Sequence, residues 1–112
     1  MALTTPKVLF GPTQLTNADV TQYTSAVNTY TTVTRAVFTN VAAAAVLLTV
    51  NVVRSGGSVA GTNQVIGAYP ISAGEAYVAA ELAGLILGPG DFISAKASAG
   101  TSINAVGSGY TG

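Results

Sequence analysis

A chain of 112 residues has the length of one domain, and 49% of its residues are hydrophobic, which excludes a disordered chain by composition. Only 7% are charged, against about 25% in a typical soluble domain, and four basic and four acidic residues cancel to a net charge of zero. The absence of histidine and cysteine excludes Ser-His-Asp and Cys-His catalysis, disulfide bonds and the usual transition-metal sites.

The few charges also restrict the possible partners. The four basic residues are isolated from one another in sequence, whereas binding to nucleic acid phosphates needs a basic stripe. A nearly uncharged surface is either solvated by Thr and Ser hydroxyls or buried in an assembly, and we favour the second interpretation.

The N-terminal half predicts strands. MALTTPKVLF lacks the basic region and apolar stretch of a signal peptide, and we expect residues 1–12 to form an extended arm, with an ordinary first strand as the alternative. TQYT, around Tyr23, predicts a short strand. Residues 31–39 are rich in β-branched and aromatic side chains, which favour a second strand ending at Asn40.

The apolar segment 44–54 is predicted to be a long strand. Val46, Leu48, Val50 and Val52 fall on one side at period two, although the four alanines before them leave a helix as the alternative. The surrounding apolar run has 13 residues, fewer than the about 20 that a membrane helix needs. We therefore expect no membrane partner.

A glycine-rich loop, residues 54–63, follows this strand. Gly56 and Gly61 have the spacing of a phosphate-binding loop, but Thr62 stands where the lysine belongs, which favours a hairpin loop. QVIGAYPI predicts a strand that Pro70 ends or places at a sheet edge. Residues 77–87 fit either a strand or a helix, and Gly84 favours extended structure.

LGPGD predicts a type II turn that ends at Asp91. As a lone acid, Asp91 does not supply the clustered oxygens that calcium requires, so we expect it to bond nearby backbone groups. Ile93, Ala95 and Ala97 alternate with more polar residues and predict a further strand. SINAVGSG predicts a last short strand, and GSGYTG is expected to be a flexible tail or a surface-lying arm.

Seven to eight short strands separated by turns predict an all-β chain folded as a single antiparallel β-sandwich, or jelly-roll-like domain. We assign residues 1–12 to the arm, 13–108 to the sandwich and 109–112 to the C-terminal tail. The four acids, Asp19, Glu75, Glu81 and Asp91, lie in separate segments, so no carboxylate pair for glycoside hydrolysis is apparent. We expect no enzymatic activity, cofactor, metal or small-molecule substrate.

The order of these segments resembles small virion structural proteins of tailed bacteriophages. The resemblance runs from Thr21 to Ser108 through YT, NVVRSGG, IGAYPISAGE and LAGLILGPGDFISAKASAG. Its most specific part is the pattern I-x-A-G-E followed by L-x-L-x-x-G-D-x-I-x-A-x-A-S. It is a pattern of turns and strands and brings no active site with it.

The resemblance implies a virion protein that assembles in the host bacterial cytoplasm, most simply a capsid decoration (cement) protein that binds the assembled head. Its partners would be the major capsid protein or other virion subunits, with a homo-oligomer expected and no nucleic acid. The alternatives are a neck, tail or head-fibre component and, in another class, a carbohydrate-binding module. The contact residues we expect are Leu3, Pro6, Val8, Phe10, Arg54, Val59 and Tyr110.

Overall fold

The computed structural model describes residues 5–111, and apart from one short 3₁₀ turn, Gly61–Asn63, the regular elements described there are strands. Nine strands are found in this part of the chain. They are β1 (Thr5–Gln14), β2 (Val20–Thr24), β3 (Thr31–Asn40), β4 (Val46–Val53), β5 (Gln64–Ile71), β6 (Ala76–Val78), β7 (Ile86–Leu87), β8 (Phe92–Ala97) and β9 (Ile103–Thr111).

Two antiparallel sheets pack into a sandwich, which confirms the predicted fold class. Sheet A has the order β1-β9-β3-β6, with β7 also paired to β3, and sheet B has the order β2-β8-β4-β5. The first strand pairs with the last, β2 with β8, β3 with β6 and β7, and β4 with β5. The chain is therefore one long two-stranded ribbon rolled up so that β3 meets β9 and β4 meets β8. This arrangement is a jelly roll.

The core lies between the sheets and follows the predicted alternation. Along β3, Val33, Ala36 and Phe38 are fully buried, and along β4 Leu48 and Val50 are fully buried. The helix alternative for the alanine-rich segment is wrong, because the strand begins at Val46 and pairs on both sides, with β5 and β8. All residues of β4 except Leu47 are buried, so both faces of this strand are covered over most of its length, which fits its nearly continuous apolar sequence.

The C-terminal residues correct a prediction. Residues 107–111 of the GSGYTG segment are not a flexible tail, because they belong to β9, which lies between β1 and β3 in sheet A, and Gly112 lies outside the described residues. Gly107 and Gly109 point into the core. A Cβ atom at Gly107 would lie 2.3 Å from Cε1 of Phe10, and one at Gly109 would lie 2.1 Å from the carbonyl oxygen of Thr32. Glycine is needed here for close packing rather than for flexibility.

The expected N-terminal arm begins outside the described residues, and its described part, residues 5–12, belongs to strand β1, as in the alternative interpretation. In β1, a β-bulge changes which side chains face the core. Val8 pairs with Ser108, and the next paired residue is Phe10, so that Leu9 and Phe10 both point inward. Strict alternation would have placed Phe10 outside with Val8. Its predicted role as a partner contact is therefore wrong, because Phe10 is a core residue that packs near Phe38.

Segment 77–87 is neither one strand nor one helix. Strand β6 ends at Val78, residues 80–84 form turns, and β7 is only Ile86–Leu87. Both short strands pair with β3, on either side of the turn. Pro70 lies in β5 at the edge of sheet B, as predicted, where a missing N–H costs no ladder hydrogen bond.

Candidate interaction surface

Asp91 is a structural residue at one end of the sandwich. Its Oδ1 accepts a hydrogen bond from the Ser55 amide at 2.8 Å, and its Oδ2 accepts from the Gly88 amide at 2.8 Å and from Nη1 of Arg54 at 2.7 Å. The Asp91 amide donates to the Gly88 carbonyl and closes the predicted turn, with Gly90 at φ +83°. The carboxylate thus ties the segments that follow β4 and β7 to the start of β8.

The environment of Asp91 changes the pKa of its carboxyl group. Burial alone would raise this pKa, but the hydrogen bond from Arg54 and those from the Ser55 and Gly88 amides outweigh it, and the net pKa is lowered. The group is therefore a carboxylate at neutral pH, and both of its oxygens accept hydrogen bonds from within the chain.

The other acids do not converge on a site either. Asp19 faces Lys96 with 3.9 Å between Oδ2 and Nζ, and Glu81 accepts from the Tyr77 hydroxyl. This hydrogen bond, together with burial and the nearby charge, raises the pKa of Tyr77 to about 12. Within residues 5–111 there is no group of three acidic, histidine or cysteine side chains able to hold a metal, and no helix with the length and apolarity for a membrane span.

Two tyrosines come together from different sheets, which the sequence did not indicate. The rings of Tyr69 on β5 and Tyr77 on β6 stack with centroids 4.3 Å apart. These strands lie at the edges of sheets B and A, so the pair closes one side of the sandwich. Each ring gives one face to the other, unlike the flat exposed platform with which a carbohydrate-binding module grips a sugar.

The loop of residues 54–63 is held against sheet B by asparagine side chains. Nδ2 of the buried Asn51 donates to the Ala60 carbonyl at 2.9 Å and to Oδ1 of Asn63 at 2.7 Å, and Asn63 in turn donates to the Ser58 carbonyl. The loop forms a hairpin connection, as predicted. Two of the predicted contact residues lie in this loop. Arg54, at the start of the loop, forms a salt bridge with Asp91, and Val59 is half-buried in the loop.

The outer face of sheet A, by contrast, exposes apolar side chains. Val37 pairs with Val78 on one side and with Val106 on the other, which makes a continuous valine row across three strands. A second row of paired residues runs from Ile86 on β7 through Thr32 on β3 and Tyr110 on β9 to Pro6 on β1. Five large apolar residues of this face are between 41% and 66% exposed, namely Val8, Val78, Ile86, Val106 and Tyr110.

A second bulge places a charge on this face. Thr34 and Arg35 together oppose Ser108, so both side chains point outward between Val33 and Ala36, which are buried. Beside them is a shallow cavity of about 320 Å³, lined by Pro6, Lys7, Val8, Thr34, Ser108, Gly109 and Tyr110. Among the described residues Arg35 forms no ion pair, because the salt bridges involve Arg54 and Lys96.

The predicted contact residues are thus divided by the fold. Pro6, Val8 and Tyr110 meet around one cavity on the outer face of sheet A, Phe10 is in the core, and Leu3 lies outside the described residues. Arg35 and the valine row were not predicted from the sequence. Period-two alternation in AVGSGY, with Val106 and Tyr110 on one side, was the signal that could have identified part of it.

Comparison with known proteins supports the fold. Neither a protein family model nor a curated protein matches the chain. A chain in the solved structure of infectious bursal disease virus, strain Gx, is similar to it, with a TM-score of 0.53 and 14% sequence identity. The similarity covers 96% of this chain but only 30% of that one, and at this identity it concerns the architecture alone.

Proposed function

We propose that the protein is a non-enzymatic structural component of a virus particle, and specifically a decoration (cement) protein of a tailed bacteriophage head. The observation that carries the proposal is an apolar, uncovered sheet face on a jelly roll with almost no surface charge. Soluble monomers rarely expose a contiguous apolar patch of this kind, and such patches mark interaction sites.

Three further points support a role in a virion. Jelly rolls are common in viral capsid domains, and the similar chain found among solved structures comes from a virus. The titratable side chains are scattered or engaged in structural contacts. An example is the Asp91 cluster, in which the Asp91 carboxylate accepts hydrogen bonds from the Arg54 side chain and from the Ser55 and Gly88 amides. The absence of a charged surface fits a protein whose surroundings are other subunits rather than water.

The mechanism would be stabilisation by mass action. A protein that binds the assembled shell, and not the separate shell subunits, shifts the equilibrium toward the shell by an amount set by its concentration relative to Kd. Many equivalent copies on a symmetric particle would add these contributions over the whole shell. Assembly in the bacterial cytoplasm needs no disulfide, which a chain without cysteine cannot form.

The number of copies per particle tests this proposal. Quantitative mass spectrometry of purified virions should find this protein in hundreds of copies, close to the number of major shell subunits. About a dozen copies would instead identify a neck, tail or head-fibre component. Absence from purified virions would contradict any virion role.

A further inference from the structure

We propose that the outer face of sheet A is the surface that docks on the viral shell, and that the shell presents to it an apolar side chain flanked by a carboxylate. The inference rests on the proposed function and adds to it the docking face and the chemistry of the partner. The apolar side chain would fill the cavity between Pro6, Val8 and Tyr110, and the carboxylate would face Arg35.

The size of this face suits a specific interface. The long strands β1, β9 and β3 and the short β6 and β7, spaced about 4.8 Å apart with about 3.3 Å per residue, give it roughly 550 Å². Stable interfaces bury about 1,200–2,000 Å² in total, or about 600–1,000 Å² per partner. The face therefore lies close to the lower limit of this range, which suits a site repeated over a symmetric lattice.

The polarity of the face defines the partner. Its centre is the row Val37, Val78 and Val106. Its positive charges are Arg35, turned outward by the bulge opposite Ser108, and Lys7, which lines the cavity. A guanidinium covered by a partner must be paired, because a desolvated charge without a counter-charge is costly. Its planar donors match a carboxylate. The partner surface is therefore mainly apolar and carries a carboxylate opposite Arg35.

A second copy of the chain does not provide this chemistry. No acidic residue lies on the described outer face of sheet A, since Asp19 faces Lys96, Glu81 bonds Tyr77, Asp91 is buried and Glu75 lies in the turn before β6. Two such faces in contact would cover two arginines and no carboxylate. Electrostatic complementarity thus selects a different protein as the occupant.

Two of the sheet edges, β1 and β5, are less suited to docking than this face. The edge strand β1 contains Pro6 and Pro12 and has two register shifts, and the edge strand β5 contains Pro70 and two register shifts. Prolines and bulges on edge strands oppose the addition of a further strand.

Two aspartate substitutions with equal exposure test the docking face. Val106 on sheet A and Leu47 on sheet B are each 41% exposed, so Val106→Asp and Leu47→Asp place the same charge on opposite faces. The probe is purified particles from which this protein has been removed, and the readout is the affinity of the added protein. Val106→Asp and Arg35→Glu should each weaken binding about tenfold or more, and Leu47→Asp by less than about threefold.

The outcomes separate the two proposals. If the wild-type protein does not bind the particles, the proposed function fails. If it binds and Val106→Asp binds as well as Leu47→Asp, the function stands and the docking face is wrong. A homo-oligomer in solution that Val106→Asp dissociates would also overturn the inference, because a second copy would then occupy the face.

A measurement on the wild-type protein replaces any variant that fails to fold. Hydroxyl-radical labelling of the free and the particle-bound protein should show protection of Val8, Val106 and Tyr110 on binding. Val27, which is 80% exposed in the loop after β2, should be labelled equally in both states. Unchanged labelling of the three face residues would contradict the inference.

Discussion

The outer faces of the two sheets are treated in opposite ways by the same chain. On sheet B, polar residues such as Asn51 and Ser94 are buried, and the loop of residues 54–63 is bonded to Asn51. On sheet A, valines, Ile86 and Tyr110 are exposed, and no described loop covers them. The chain thus covers polar groups on sheet B and leaves a group of apolar side chains exposed on sheet A.

Under the proposed function, this difference separates the face that folding completes from the face that a partner would cover. Covering the polar groups of sheet B stabilises the monomer, because the loop satisfies donors that would otherwise be buried without partners. Exposing the valine row of sheet A contributes nothing to the monomer. Such a face stabilises only an assembly in which another surface removes it from water.

The largest expected effect comes from the inner side of sheet A. Gly109→Ala should lower the free energy of unfolding by about 3 kcal/mol, because the new Cβ would overlap the Thr32 carbonyl oxygen of the neighbouring strand. Urea unfolding followed by circular dichroism measures this. The control is Ser108→Ala on the outer side of β9, expected to change stability by less than about 0.5 kcal/mol. Equal stability of the two variants would mean that β9 is not packed as described.

The next effect concerns the Asp91 cluster, which joins both sheets at one end. Asp91→Asn should cost about 2 kcal/mol, because an amide nitrogen would face the donors of Gly88 and Arg54. The control, Glu75→Gln, changes an exposed acid and should have little effect.

The pH dependence of stability gives a second readout for Asp91. Its pKa is lowered in the folded state, so its stabilising contribution is fully present above the unfolded value of about 3.9 and is lost as the pH falls through the folded pKa. Wild-type stability should therefore fall more steeply below about pH 4 than that of Asp91→Asn. Parallel pH profiles would contradict the assigned role of the carboxylate.

A smaller effect is expected where sheet B is covered. Asn63→Ala removes the acceptor for Asn51 and the donor to Ser58, and should cost about 1 kcal/mol. Amide hydrogen exchange in residues 54–63 should become faster, while exchange in β9 stays slow. Thr62→Ala, at an exposed neighbouring position, serves as the control. Unchanged exchange in Asn63→Ala would show that other contacts hold the loop.

The smallest effect on stability is expected at the exposed face of sheet A. Val106→Thr should change the free energy of unfolding by no more than about 0.5 kcal/mol, because the side chain is not part of the core. Val50→Thr, at a fully buried position on β4, should cost clearly more, because it buries a hydroxyl. Similar losses for the two variants, by thermal unfolding, would mean that the outer face already contributes to monomer stability.

The sequence predicted most of the fold because alternation is strong in β3, β4 and β8. Prediction from the sequence failed where the pairing register of a strand changes and where a glycine is required for close packing. The bulge at Leu9 and Phe10 reverses which side chains of β1 point inward and which point outward. The low strand propensity of glycine alone would place Gly107 and Gly109 in a tail, although both are packed inside β9. Both features depend on contacts between strands that are far apart in sequence, β9 with β1 and β9 with β3, and so are not visible in local patterns.

The candidate surface was predictable only in part, for the same reason. Pro6 and Val8 were identified from an apolar N-terminal segment with a proline, and Tyr110 from its place in a glycine-rich segment, and the jelly roll brings these two segments together. The row Val37, Val78 and Val106 needs the order β9-β3-β6, which no single segment encodes. The outward direction of Arg35 depends on a bulge against Ser108.

The most direct test of the docking face is a cryo-electron microscopy map of the virus particle that carries this protein. The account predicts that the outer face of sheet A lies against the shell, with an apolar side chain in the cavity beside Tyr110 and a carboxylate near Arg35. The loop of residues 54–63 would then point away from this contact. A map in which the outer face of sheet A is open to solvent, and another surface contacts the shell, would contradict it.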